Sequence, residues 1–281
     1  MRAIVVDTNA FGEPRLLRHL RQSEQNRVAI PEAVVVEIFN GDVLRNLEEK
    51  FLPLEPFSNQ VLLLKSGIDL LRVRPRAKGM HGRLTDTRLT RLFPLLCSRT
   101  RRALSGNKAD LDFIRQFEKG AGQFSYSEEF ARSIRKSLGA IESTFALADV
   151  KKFRSGQLPS ERFTQRYFQH LKVFVSDVLS EYSIPLPGLD GILDTYIFRF
   201  ALFYEAAALD AIHHGSLSAL SNKRLTHDFR DTTILAVASF FDGISTNDKA
   251  MLTRARTGIT ILRFLKAQLN QFRSESQRTA T

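Results

Sequence analysis

Four carboxylates stand where the chain changes from one element to the next: Asp7, Glu37, Asp231 and Asp248. Asp7 follows the apolar run Ala3 to Val6, at what reads as the carboxyl end of a buried strand, the edge at which parallel sheets bind ligands. An Asp after a strand also suits a helix N-cap. Glu37 comes three residues after Val34, near an apolar helix face that includes Val35 and Ile38. A carboxylate there is paired, hydrated or metal-bound, or else points to water between its apolar neighbours. Asp231 precedes Ile234, Leu235 and Ala238 by three, four and seven residues and so shares their face. Asp228 lies one turn earlier, and the alternative for either Asp is a helix cap. Asp248 closes Ser245-Thr246-Asn247-Asp248 at another strand-to-helix corner, where Asn247 or Asp248 suits a cap. If such groups converge on one pocket they repel, and full ionisation needs a compensating cation. All-oxygen ligands suit Mg²⁺ or Mn²⁺, with water and a substrate phosphate completing the shell.

The elements that must position these acids alternate at both ends of the chain. Ala3–Val6 and Val28–Ile30 read as strands, with helices after each: Leu16, Leu17 and Leu20 mark the first, and Pro31 with Val34, Val35 and Ile38 the second. The pattern returns with helices over Asp190–His214 and Asp228–Phe240, a strand at Gly243–Ser245, a helix to about Arg254 and a strand at Ile259–Leu262. Strands separated by helices imply a mostly parallel sheet. Between Leu54 and Pro187 little reads as a buried strand. Ser125-Tyr126-Ser127-Glu128 has capping-box spacing, and Ser160–Tyr182 predicts a long amphipathic helix with Phe163, Tyr167, Phe168, Leu171, Phe174, Val175, Val178, Leu179 and Tyr182 on one face. The partition is therefore an α/β core over residues 1–55 and 190–265, a helical, basic insertion over 56–189, and a polar tail over 266–281, frayed from Arg273.

Composition excludes several classes. At 281 residues, 43% hydrophobic and 25% charged, the chain is neither disordered nor low-complexity. Its single cysteine, Cys97, excludes an internal disulfide and a cysteine-based zinc site. No apolar run reaches membrane-spanning length and no signal pattern opens the chain, so a cytoplasmic protein is expected. The net charge of +11 is concentrated: Arg72, Arg74, Arg76, Lys78, Arg83, Arg88, Arg91, Arg99, Arg101, Arg102 and Lys108 face one acid, Asp86. Such a one-sided run suits phosphate binding. The alternatives are a cover for an acidic partner protein or a mobile surface loop. A haloacid-dehalogenase phosphatase would carry a second Asp where Asn9 stands. No glycine-rich phosphate loop follows Val6, and no Gly-x-Ser-x-Gly elbow occurs.

Val5-Val6-Asp7-Thr8-Asn9, the helix from Pro31 to Glu37, Asp231 to Ala238, and Asp242 to Lys249 together resemble PIN domains. The resemblance covers about the first fifty and last ninety residues. It implies an α/β, PIN-like doubly wound, mostly parallel sheet flanked by helices, here with a large, mainly helical insertion. It further implies Mg²⁺- or Mn²⁺-dependent endoribonuclease activity giving a 5′-phosphate and a 3′-hydroxyl. Asp7, Glu37, Asp231 and Asp248 become catalytic metal ligands, Asp7 and Asp248 directly and Glu37 and Asp231 as further ligands or positioners of metal-bound water. Asn9 orients Asp7, and Asp228 is an accessory ligand or a cap. RNA is the expected substrate, its backbone held by Arg72, Arg74, Arg76, Lys78, Arg83, Arg99, Arg101 and Arg102. A toxin-type or defence nuclease, with an antitoxin or another protein partner and a homodimer, is in keeping with the family, although the insertion sets the chain apart from small toxin-like members. Two readings stand beside this one: an inactive nucleic-acid-binding or scaffold protein of the same fold, and a structure-specific DNA nuclease.

Overall fold

Four short apolar runs pair into one parallel sheet: β1 (Ala3–Val6), β2 (Arg27–Ile30), β3 (Val61–Leu63) and β4 (Ile244–Ser245), in the order β3-β2-β1-β4. Ala3 faces Arg27, Val28 faces Val61 and Val5 faces Ile244 across the ladders. Val5, Val6, Val28, Ala29 and Ile30 are buried, which is why these strands are continuous apolar runs rather than alternating ones. The computed structural model describes residues 2–75, 79–122, 128–154, 160–214 and 220–279. The chain forms two compact units, one from Met1–Leu70, Lys78–Ser127 and Val237–Lys249, the other from Leu71–Ala77, Glu128–Ala236 and Ala250–Thr281. This boundary differs from the partition expected over 56–189: residues 79–122 group with the sheet, and most of the described residues of 190–265 group with the helical unit.

In the sheet-bearing part of the chain the helices are α1 (Pro14–Gln22), α2 (Glu32–Ile38), α3 (Val43–Lys50), α4 (Gly67–Leu71), α5 (Met80–Leu84), α6 (Thr87–Leu104) and α7 (Lys108–Gly122). Leu16 and Leu20 of α1 and Val34 and Ile38 of α2 are buried, as their spacing predicts. Strand β3 falls in a stretch that reads as helices and loops, because Leu62-Leu63-Leu64 carries no strand propensity of its own. It is set instead by pairing with β2 and by α6. The Leu63 N–H donates to Thr90 Oγ1 at 2.9 Å, and the Asp86 N–H donates to the Leu63 carbonyl at 2.8 Å. Helix α6 buries Phe93, Leu96, Cys97, Thr100 and Ala103, and the rings of Phe11, Phe51 and Phe93 meet at 5.2–6.1 Å. This burial holds half of the basic segment to the sheet unit. It also pushes the Cys97 thiol up to about 12, so Cys97 is packing rather than chemistry.

The helical unit comprises α8 (Glu128–Glu142), α9 (Leu147–Arg154), α10 (Glu161–Glu181), α11 (Leu189–Ile192), α12 (Tyr196–His214), and the greater parts of α13 (Asn222–Ala238) and α14 (Lys249–Thr279). Ser160 caps α10 by accepting the Phe163 N–H, and Phe163, Tyr167, Leu171, Val175 and Leu179 are its buried stripe. The Ser125–Ser127 part of the capping-box sequence lies outside the described residues, and α8 runs from Glu128. The expected strand at Ile259–Leu262 is helical, inside α14. Met251, Ala255, Gly258 and Leu262 are buried at spacings of four, three and four, a helical period that outweighs the β-branched Ile259-Thr260-Ile261. A Cβ at Gly258 would lie 2.1 Å from the Phe203 ring, so glycine permits this approach of α14 to α12. The tail expected to fray from Arg273 is helical through Thr279. Among the described residues no helix is long and apolar enough to cross a membrane.

Glu205, on α12, is 3% exposed, and its Oε2 has no hydrogen-bond partner among the described residues. Burial pushes its carboxyl well above the ordinary carboxylate range, and the neighbouring Tyr167 hydroxyl is likewise raised, by burial first and then by Glu205. The folded state therefore keeps a proton that the unfolded chain releases near pH 4.3. Stability is full below that pH and falls by roughly 1.4 kcal/mol per pH unit until the folded pKa is passed. Glu205→Gln, which cannot ionise, is expected to match the wild type at pH 4 and to melt several degrees higher at pH 8, as thermal unfolding at both pH values would show.

Candidate active site

The sheet order reverses about β1. The chain winds outward to β2 and β3 on one side and returns as β4 on the other, so the carboxyl ends of β1 and β4 flank the topological switch point. This is the place where open α/β sheets bind ligands. Asp7 leaves β1 there with 8% exposure, and Thr246-Asn247-Asp248 leave β4. The capping reading of Asp7 is met by one of its carboxylate oxygens, and the other oxygen turns to β4. Its Oδ1 accepts the Thr8 N–H at 2.8 Å, while its Oδ2 accepts the Thr246 hydroxyl at 2.7 Å. Thr8 Oγ1 donates to Glu37 Oε2 at 2.8 Å, and Thr246 Oγ1 accepts the Asp248 N–H at 3.1 Å. Thr8, through its N–H and its hydroxyl, thus links the Asp7 and Glu37 carboxylates, and the Thr246 hydroxyl links the Asp7 carboxylate to the backbone of Asp248.

Asn9 reaches Asp7 through this network. Its Oδ1 accepts the Asn247 N–H at 2.9 Å and lies 3.3 Å from Thr246 Oγ1, while Asn247 Nδ2 donates to the Asn9 carbonyl and to Glu13 Oε1. Asn9 fixes the turn after β4, and that turn aims the Thr246 hydroxyl at Asp7. The donors gathered at this edge are carboxylate, amide and hydroxyl oxygens, a set that suits a hard divalent cation.

Asp231 belongs to the helical unit, with Asp228. His227, Asp228 and Asp231 each offer a ligand atom, all within 4.8 Å of one another, and are the only such group of three among the described residues. Asp7, Glu37 and Asp248 do not form so tight a group. In the helical unit Arg254, buried on α14, donates to Asp228 Oδ1 at 2.9 Å and lies 3.5 Å from Asp210 and 3.8 Å from Asp231. Burial alone would lower its guanidinium, but the carboxylates of Asp228, Asp210 and Asp231 outweigh burial and hold it above its ordinary value. His227 is raised by its contact with Asp231, 3.4 Å away. Its donors could hold a metal ion, and Arg254 already supplies positive charge among the same acids.

No protein-family model, no curated protein and no solved structure matches the chain.

The basic residues divide. Arg72 and Arg74 belong to the helical unit, Arg83 lies on α5, and Arg76 and Lys78 lie outside the described residues. On α6, Arg102 forms a bidentate pair with Asp110, 2.6 Å at the closer contact, and Arg99 lies 3.6 Å from the same carboxylate and 4.0 Å over the Phe113 ring. Hydrogen bonding from Arg102 holds the Asp110 carboxyl below its ordinary range against the effect of burial. Arg101 pairs with Glu55. These three arginines brace α6 against its neighbours, so replacing them together would perturb the fold as well as any ligand. Arg88 and Arg91 are exposed and have no ion pair among the described residues. Reasoning from sequence passed over Thr8, Thr246 and Glu13 as site residues. The first two stand in the strand-to-helix corners already singled out, but a hydroxyl's aim is set by the partner strand rather than by its neighbours in sequence.

Proposed function

We propose that the protein is a divalent-metal-dependent endonuclease of PIN-like architecture acting on RNA, with Asp7, Glu37 and Asp248 as the acids of its site. The observation that carries this reading is the network that joins the Asp7 and Glu37 carboxylates through Thr8, and Asp7 to the Asp248 backbone through Thr246, at the carboxyl edge of the sheet beside its switch point. Asp231 joins the proposal by resemblance alone. When bound, Mg²⁺ or Mn²⁺ would supply a Lewis acid for the scissile phosphate and lower the pKa of an attacking water. The chain's own residues do the positioning: Asp7 offers a carboxylate fixed by two hydrogen bonds, and Asn9 holds the turn after β4. The chain's surplus positive charge compensates for the repulsion between an acidic pocket and a polyanion.

Total RNA, single-stranded DNA and double-stranded DNA incubated with the protein in Mg²⁺ or Mn²⁺, followed by end mapping, tests the proposal. Metal-dependent RNA fragments with 5′-phosphates are expected. Preferential cutting of DNA would reassign the substrate, and binding without cleavage under both metals would favour the scaffold reading. Thr246→Val removes one hydroxyl at nearly constant volume. It is expected to slow cleavage by about 10–100-fold, as for groups that orient metal ligands, while Thr246→Ser keeps most of the rate. Equal rates for the two variants would remove Thr246 from the site.

A further inference from the structure

Over its first half, helix α6 turns one face to the sheet unit and leaves the other exposed; beyond Leu95 that second face meets α7 through Arg99 and Arg102. Thr90, Phe93, Cys97, Thr100 and Ala103 point inward or toward β3, whereas Arg88, Leu92 and Leu95 follow one another at spacings of four and three on the outside. Leu92 and Leu95 are 39% and 43% exposed. Arg88 and Arg91 flank them without an acidic partner among the described residues, while Arg99 and Arg102 continue the seam but are held by Asp110. We propose that this face is a docking surface for an acidic amphipathic helix of a partner protein.

The seam fixes the kind of occupant. Leu92 and Leu95, three residues apart and continued at four-residue steps by Arg88 and Arg99, form a short seam of the kind that a helix reads on another helix. Arg88 and Arg91 call for Asp or Glu beside the partner's apolar residues, because charges across such an interface set partner choice. A second copy of the chain would set like charge on like: an antiparallel pairing places Arg88 against Arg99, and a parallel one places Arg88 against Arg88. A nucleic acid strand would satisfy the arginines but leave the leucines in water, and the helix's one aromatic, Phe93, is buried and offers no base a stacking surface. Charge and apolar surface together favour the acidic helix. This inference stands apart from the proposed catalysis.

The test uses the full chain and three probes measured by fluorescence anisotropy: a synthetic helical peptide with leucines at three- and four-residue spacing edged by Glu, its Lys-for-Glu counterpart, and a single-stranded RNA oligonucleotide. The Glu peptide is expected to bind and the Lys peptide not to. Leu92→Ser with Leu95→Ser should weaken the Glu peptide at least about tenfold. Arg88→Glu with Arg91→Glu should also weaken the Glu peptide and allow the Lys peptide to bind, a gain that misfolding could not produce. Asp7→Asn should leave peptide binding unchanged, so a failure of the nuclease reading would not touch it. The proposal is overturned if the two peptides bind alike or not at all. It also falls if the leucine pair is neutral while the arginine pair governs RNA affinity, or if sedimentation shows self-association that the leucine pair abolishes.

Discussion

Asp7→Asn is expected to reduce metal-dependent RNA cleavage by more than about a hundredfold, beyond the roughly 10–100-fold typical of groups that only orient a metal ligand. Asn has the shape of Asp, and its amide oxygen can still accept from Thr8 or Thr246, so the turn after β1 keeps a partner. The charge that would face a cation is lost. Unfolding temperature should change little while activity collapses, and a rise in apparent Mn²⁺ requirement should accompany any residual rate. The measurement is a single-turnover cleavage assay across metal concentrations, with a thermal melt of each protein. Cleavage at the wild-type rate by folded Asp7→Asn protein would displace the site from the end of β1.

Arg254→Met carries the largest expected cost in stability. The guanidinium is buried and reaches Asp228, Asp231 and Asp210, whose side chains are 15%, 9% and 20% exposed. Methionine keeps most of the volume but removes the cation that the three acids share, leaving Arg224 beside Asp228 and His227 beside Asp231. Breaking such a pair by removing one partner costs about 3–5 kcal/mol, and the lower end applies because the acids keep some contact with water. A fall of roughly 5–10 °C in melting temperature is expected. Arg254→Lys should recover only part of it, since one ammonium cannot reach all three carboxylates with a planar fork. The melt should be followed by circular dichroism, because the helical unit dominates that signal. A methionine variant as stable as the wild type would mean that these acids are held by Arg224, His227 and solvent rather than by Arg254.

The local elements with strong period were legible from sequence. Buried β1 and β2, the apolar face of α2 and the stripe of α10 follow from spacing alone, because each is decided by residues within a few positions of one another. Leu62-Leu63-Leu64 and Ile259-Thr260-Ile261 were read wrongly for one reason. The first is a helix-forming run held as a strand by β2 and α6, and the second a strand-forming run held as helix by the packing of Met251, Ala255, Gly258 and Leu262.

The same division applies to the site. Sequence by itself determined that Asp7 and Asp248 end strands, that Glu37 lies on a helix with a buried face, and that the chain is strongly basic between Arg72 and Lys108. Only the tertiary structure decided that β4 lies beside β1, a pairing across some 240 residues that brings Thr246 to Asp7. It alone placed Asp231 with Arg254 in the helical unit, and it alone set Arg99, Arg101 and Arg102 on Asp110 and Glu55 while leaving Arg88 and Arg91 exposed. Charge and periodicity are sums over neighbours in the chain, whereas an ion pair or an aimed hydroxyl depends on which distant element packs alongside.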